Sequence, residues 1–103
     1  MLPVRIIARK TLRTFAETHP DSAAALGHWE VVAKGAAWST IDEVQRAFSK
    51  AKALDGERVR FDLAGGEFRL IVAFDFGRQI VFIKFVGAHA DYDRIDALTV
   101  SLF

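Results

Sequence analysis

His89, Asp91, Tyr92 and Asp93 fall in close succession, directly after a hydrophobic run, Ile80 to Val86, that carries a single cation, Lys84. An imidazole, a phenol and carboxylates crowded at a strand end can take and give protons, and a core needs no such crowding. Other readings stand beside this one. Asp91 and Asp93 would suit the first turn of a helix, where acidic side chains favour the macrodipole. Tyr92 shares helical spacing with Ile95 and Leu98, which is equally the stripe of a core-facing helix. A metal wants ligands that converge from separate elements with an outer shell, and His89, Asp91 and Asp93 come from one segment, so no metal site and no cofactor is expected. There is no phosphate-cradling glycine loop and no Gly-x-Ser-x-Gly elbow.

The elements that must position these groups belong to a chain of 103 residues, a length that suits one domain over 1–103. An apolar fraction of 51% is enough to build a core. The absence of cysteine removes disulfides and thiolate metal sites and fits a reducing compartment. No stretch reaches membrane-spanning length and the N-terminus lacks a long apolar signal core, so the cytoplasm is the expected location. With a formal net charge of +1, any nucleic acid must be held by a local basic patch.

Val4 to Ala8 reads as a strand, and Arg9 to His19 as a helix with Leu12, Phe15 and Ala16 at helical spacing. Pro20 ends that helix, and Asp21 or Ser22 can cap the next, which carries Ala25, Trp29 and Val32 to about Ala36. Thr40-Ile41-Asp42-Glu43 is a capping-box pattern for a third helix, and Ser49 to Gly56 reads as a polar connector. The period then changes to two. A hairpin turning at Gly65-Gly66 sets Leu63 against Phe68, Phe61 against Leu70 and Val59 against Val72. A two-residue turn near Phe76-Gly77 would set Phe68 against Phe85, Leu70 against Ile83 and Val72 against Val81, with the chain turning again at Gly87. In that register Asp62, Arg69 and Lys84 form one row of the opposite face, and Arg60, Ile71 and Phe82 the next. Cations interleaved with aromatics could engage a phosphate backbone and stacked bases, although a solvated face with an Asp62–Arg69 pair fits the same pattern. The expected fold is α+β: an N-terminal strand and two to three helices packed on a C-terminal three-stranded antiparallel meander, then a short helix.

This order and these residues resemble the HigB toxins of bacterial type II toxin–antitoxin systems, within the wider RelE/ParE-like group. The likeness covers nearly the whole chain. It is carried by Arg5-Ile6-Ile7 with Arg9-Lys10-Thr11-Leu12, by His19-Pro20, by the Trp29 region and by Trp38-Ser39. Val59-Arg60-Phe61-Asp62 and Phe68-Arg69-Leu70-Ile71 resemble the central hairpin. The most specific run is Ile80 to Gly87 followed by His89-Ala90-Asp91-Tyr92-Asp93. The resemblance implies a RelE-like fold and an endoribonuclease that cleaves mRNA, typically on translating ribosomes. It also implies neutralisation by a helix-turn-helix, HigA-like antitoxin. Two departures stand out: these toxins are often strongly basic, and position 62, often Asn, is here Asp.

RNA can be cut without a metal. A base removes the 2′-hydroxyl proton, the oxygen attacks the adjacent phosphate, cations stabilise the charged phosphorane, and an acid protonates the leaving 5′-oxygen. The residues that fit these parts are Arg69 and Lys84 as cations, His89 as a proton-transfer group, Tyr92 as a stacking, orienting or donating group, and Asp93 as an orienting group or base. Arg60, Phe82, Arg5 and Arg9, with Arg69 and Lys84, are the candidate RNA contacts, although Arg5 and Arg9 equally suit solvated positions. His19 and His28 read as structural or surface residues. Two further readings use the same fold: a non-catalytic, ParE-like toxin acting by protein contact, and a degenerate toxin that retains only antitoxin binding.

Overall fold

A five-stranded sheet, ordered β1-β5-β4-β3-β2, carries the molecule, and three helices cover one of its faces. The structure, a computed structural model, describes residues 4–101, so the first three and last two residues of the expected 1–103 domain lie outside the described residues. β1 (Arg5–Ile7) lies parallel to β5 (Ile80–Ala88). The antiparallel part comprises β2 (Ala51–Ala53), β3 (Arg58–Leu63), β4 (Phe68–Asp75) and β5.

The helices form where local chemistry asks for them. α1 (Arg9–Thr18) ends just before Pro20, which opens a 3₁₀ turn over Pro20–Ser22. α2 (Ala23–Gly35) comes next with Ser22 at its N-cap; the Ser22 hydroxyl turns back to donate to the His19 carbonyl and caps nothing. α3 (Ile41–Ala47) is capped as its motif predicts: the Thr40 hydroxyl accepts from the Glu43 N–H at 3.2 Å. The return bond of the box goes to the Ser39 N–H, one residue early. Leu12, Leu26, Trp29, Ala33 and Val44 from these helices bury against Val59, Phe61, Leu63, Phe68, Leu70, Val72, Val81 and Ile83. Trp29 is fully buried and meets Phe61 edge-on at 5.5 Å.

The fold departs from the sequence expectation at three places. Ser49–Gly56 is not only a connector, because Ala51–Ala53 pairs with Val59–Phe61 as an edge strand. The β3–β4 register is as expected, and both Gly65 and Gly66 have positive φ, as a tight hairpin of this type demands. The β4–β5 register is not. The turn takes four residues, Phe76 to Gln79, because the Asp75 carboxylate accepts from the Arg78 N–H and the Gln79 amide donates to the Phe76 and Trp38 carbonyls. Val72 therefore faces Ile83 and Phe74 faces Val81. A slip of two keeps every side chain on its face, so apolar alternation is blind to it. A bulge between Ile71 and Val72 then leaves Lys84 without a partner and flips the parity of the later β5 residues. Phe85 moves to the outer face, opposite Ile71, and β5 runs on past Gly87, which faces Arg69.

Gly87 is needed for a close approach. A Cβ there would lie 2.6 Å from Phe85 Cζ, so the Phe85 ring rests on the bare backbone. Asp55, ahead of β3, accepts from the backbone N–H groups of Glu57 and Arg58 at 2.8 and 2.6 Å. Those two bonds hold its carboxyl below the usual carboxylate range.

Gly87→Ala should destabilise the fold by about 1–3 kcal/mol through overpacking, and Phe85→Leu in the same chain should recover part of it, read by urea denaturation. The depressed folded-state pKa of Asp55 gives the sign of a second test. Its contribution is present above about pH 4, the unfolded value, and disappears as pH falls through the lower folded value. The stability gap between the native chain and Asp55→Ala should therefore be full at neutral pH and narrow steadily below about pH 4.

Candidate functional site

The outer face of β3 and β4 carries Arg60, Asp62 and Arg69, because alternate residues of a strand share a face and Asp62 pairs directly with Arg69. One carboxylate holds both cations. Asp62 Oδ1 lies 2.9 Å from Arg60 Nε and 2.8 Å from Arg69 Nη1, while Asp62 Oδ2 accepts from Arg60 Nη2 at 3.4 Å. All three side chains are mostly buried; that of Arg69 is only 13% exposed. The contact between Arg69 and Asp62 is one of charge. Arg69 Nη1 faces the Asp62 carboxylate, whereas the buried Nε of Arg69 has no acceptor. A buried guanidinium N–H without an acceptor is costly, and the charge contact with Asp62 offsets that cost.

Tyr92 roofs this pair. α4 (His89–Tyr92) is a single turn that starts where β5 ends, its first N–H bonded to the Glu67 carbonyl at 2.9 Å. The guanidinium carbons of Arg60 and Arg69 lie 5.4 and 5.7 Å from the Tyr92 ring centre. Arg60 Nη1 donates to the phenolic oxygen at 3.3 Å. That bond raises the Arg60 pKa above its ordinary value; partial burial opposes the rise, and the Asp62 carboxylate adds to it. Phe85 backs the Tyr92 ring at 6.4 Å. Tyr92 is thus no part of the core, and Leu98, at the same spacing, is 52% exposed. His89 and Asp93 form a more open pair, with Nδ1 3.2 Å from Oδ2 and the imidazole side chain 53% exposed.

The remaining expected residues lie elsewhere. The slipped register and the bulge together place Lys84 roughly 8 Å along the strand from the Arg69 row, where Gly87 takes the position expected for it. Its ammonium sits 5.4 Å from the Phe82 ring and lines an open groove of about 560 Å³ with Arg58, Glu57, Asp75 and Phe82. Arg9 is committed to Glu30 at 2.7 Å between α1 and α2. Arg5 pairs with Ile80, at the end of β5 away from His89. His19 stacks on Phe15 at 4.1 Å and His28 meets Phe48 edge-on, both among the helices. Among the described residues, no group of three or more His, Cys, Asp or Glu side chains could hold a metal ion. Sequence reasoning missed Asp62 as the shared counter-ion of two arginines. The signal was present in Arg60-x-Asp62 on one strand face with Arg69 across the hairpin.

A small α+β fold with its helices on one sheet face and a tyrosine-capped charge cluster on the other is consistent with a RelE-like fold. The family model described as HigB_toxin, RelE-like toxic component of a toxin–antitoxin system, matches residues 22–95. The chain belongs to the HigB toxin family, and that membership implies an antitoxin partner. It is similar to the mRNA interferase HigB of Escherichia coli O6:H1, 29% identical over 97 residues that cover 89% of this chain and 91% of that one. No helix among the described residues is long and apolar enough to cross a membrane.

Asp62→Asn should leave two half-buried cations facing each other, lowering stability by about 1–3 kcal/mol in urea unfolding. Added sulfate or phosphate should stabilise this variant more than the native chain, because the anion replaces the lost counter-charge.

Proposed function

We propose that this toxin is an mRNA interferase whose cleavage centre is the Arg60–Asp62–Arg69–Tyr92 cluster, with His89 and Asp93 at its rim. The observation that carries the proposal is the pair of guanidinium groups, Arg60 and Arg69, held by one carboxylate and placed against the Tyr92 ring. A phosphodiester beside this cluster would meet its net positive charge, and the added charge of the phosphorane would strengthen that attraction. Arginine's planar fork suits two phosphate oxygens at once.

The proton-transfer groups are His89 and Tyr92. Arg60 donates to the Tyr92 oxygen, so the phenolic hydrogen is free to point at an oxygen of the substrate. Asp93, close to Nδ1 of His89, fixes the ring and leaves Nε2 as the nitrogen available to the substrate. The 2′-oxygen gives up its proton to the base and bonds to phosphorus; the 5′-oxygen leaves and takes a proton from the acid. These steps yield a 2′,3′-cyclic phosphate and a 5′-hydroxyl. Lys84 and Phe82 serve the neighbouring stretch of RNA from their own groove, and Arg5 and Arg9 contribute little.

In the cell the toxin works in the cytoplasm on mRNA held by the translating ribosome, and a helix-turn-helix antitoxin encoded beside it neutralises it. One RelE-like toxin domain spans 1–103. The family membership and the mRNA interferase named among its relatives support this reading.

Induction of the native chain should arrest growth and yield transcripts with new 5′ ends inside coding regions. Arg69→Ala should reduce cleavage about 100- to 1,000-fold, the scale of removing one preorganised charge-stabilising group. Lys84→Ala should reduce it far less. Intact transcripts in arrested cells would contradict the assignment.

A further inference from the structure

We propose that Arg58 is a positioning residue that clasps the C-terminal segment over the sheet and so holds Tyr92 against Arg60 and Arg69. The proposal rests on the reading of that cluster as the cleavage centre. Arg58 Nη1 donates to the carbonyls of Ala97 and Val100, at 3.1 and 2.7 Å, across 39 and 42 residues of chain. Apolar packing here is limited: no residue from His89 to Ser101 is fully buried, and Tyr92, Ile95, Ala97 and Val100 are partly buried. α4 is one turn, too short to be stable alone. After it the chain is held to itself by local bonds: Asp93 N–H to His89 O, Arg94 to Asp91, Ile95 to Tyr92, Val100 to Asp96. The ends of this strap are therefore fixed by polar bonds: His89 N–H to the Glu67 carbonyl before Tyr92, and the two Arg58 bonds after it.

The anchor itself is rigid. The Arg58 backbone N–H donates to Asp55 at 2.6 Å, its carbonyl accepts from Leu54 at 2.8 Å, and it pairs with Ala73 of β4. Arg58, Arg60 and Asp62 alternate on the same face of β3, so one strand supplies the clasp, the phenol's hydrogen-bond donor and the shared counter-ion. With the clasp gone, Tyr92 would keep only the 3.3 Å bond to Arg60 and its aromatic contacts. A displacement of about 1 Å at such a group can cost on the order of 100-fold in rate.

The test compares Arg58→Ala and Arg58→Lys with the native chain by NMR, hydrogen exchange and cleavage of an RNA oligonucleotide. In Arg58→Ala, amides of 94–100 should exchange at least 10-fold faster while those of β3–β5 keep their protection, and cross-peaks between the Tyr92 ring and the Arg60 and Arg69 side chains should weaken. The kcat should fall about 10- to 100-fold with KM nearly unchanged. Arg58→Lys, able to reach one carbonyl, should recover part of each effect. In a Tyr92→Phe background, Arg58→Ala should cost less than it does alone, because both changes act through one ring. Unchanged tail exchange in Arg58→Ala, an undisturbed Tyr92 ring, or a loosened tail with unchanged kcat would each overturn the proposal. A native chain that cleaves no RNA would overturn the functional reading, while the exchange and ring contacts would still decide the clasp.

Discussion

Asp62 sits between two guanidinium groups, within 2.9 Å of each, on the face of the sheet that the helices leave open. Without that carboxylate the two cations would repel at close range in a half-desolvated setting, where Coulomb energies are several times larger than in water. With it, the cluster of two guanidinium groups and one carboxylate carries about one net positive charge. The carboxylate thus lets two guanidinium groups sit side by side in a stable fold. The arrangement also explains how a chain of nearly neutral net charge can be built to act on RNA: the positive potential is local and backed by the low-dielectric sheet.

The rest of the architecture serves this cluster. The hairpin at Gly65-Gly66 sets Asp62 opposite Arg69. The bulge at Lys84 brings Phe85 to the outer face, and the bare backbone of Gly87 lets its ring lie flat enough to support Tyr92. The two-residue slip and the bulge together separate Lys84 from the arginine pair and place it in a groove where Glu57 and Asp75 balance Arg58 and Lys84. A strand irregularity beside a site re-aims side chains in this way.

Much of this was legible in the sequence. Helix ends marked by Pro20 and by the Thr40–Glu43 pattern, and the β3–β4 register, come from strong local signals. The grouping of Tyr92 with Arg69 and Arg60 agrees with the crowding that made His89–Asp93 conspicuous. The β4–β5 register was not legible, for two physical reasons. A two-residue slip preserves alternation, so Phe68, Leu70 and Val72 find apolar partners either way, and a bulge leaves no compositional mark at Lys84. The brief edge strand Ala51–Ala53 was hidden because it is short and largely exposed. The role of Tyr92 was left open because helical spacing with Ile95 and Leu98 suited burial equally, and nothing local marks the hydrogen bonds from Arg58 to this segment.

The central claim, that a phosphodiester of RNA binds at the charge cluster of Arg69, Arg60 and Tyr92, is tested most directly by NMR. An RNA oligonucleotide with a 2′-O-methyl group at the cleaved position can bind without reacting, and the arginine Nε–H resonances report each guanidinium separately. The account predicts that the Nε–H signals of Arg69 and Arg60 and the ring signals of Tyr92 shift together in one saturable transition, with smaller changes at Lys84. Saturable RNA binding that leaves the Arg69 Nε–H signal unmoved would contradict it.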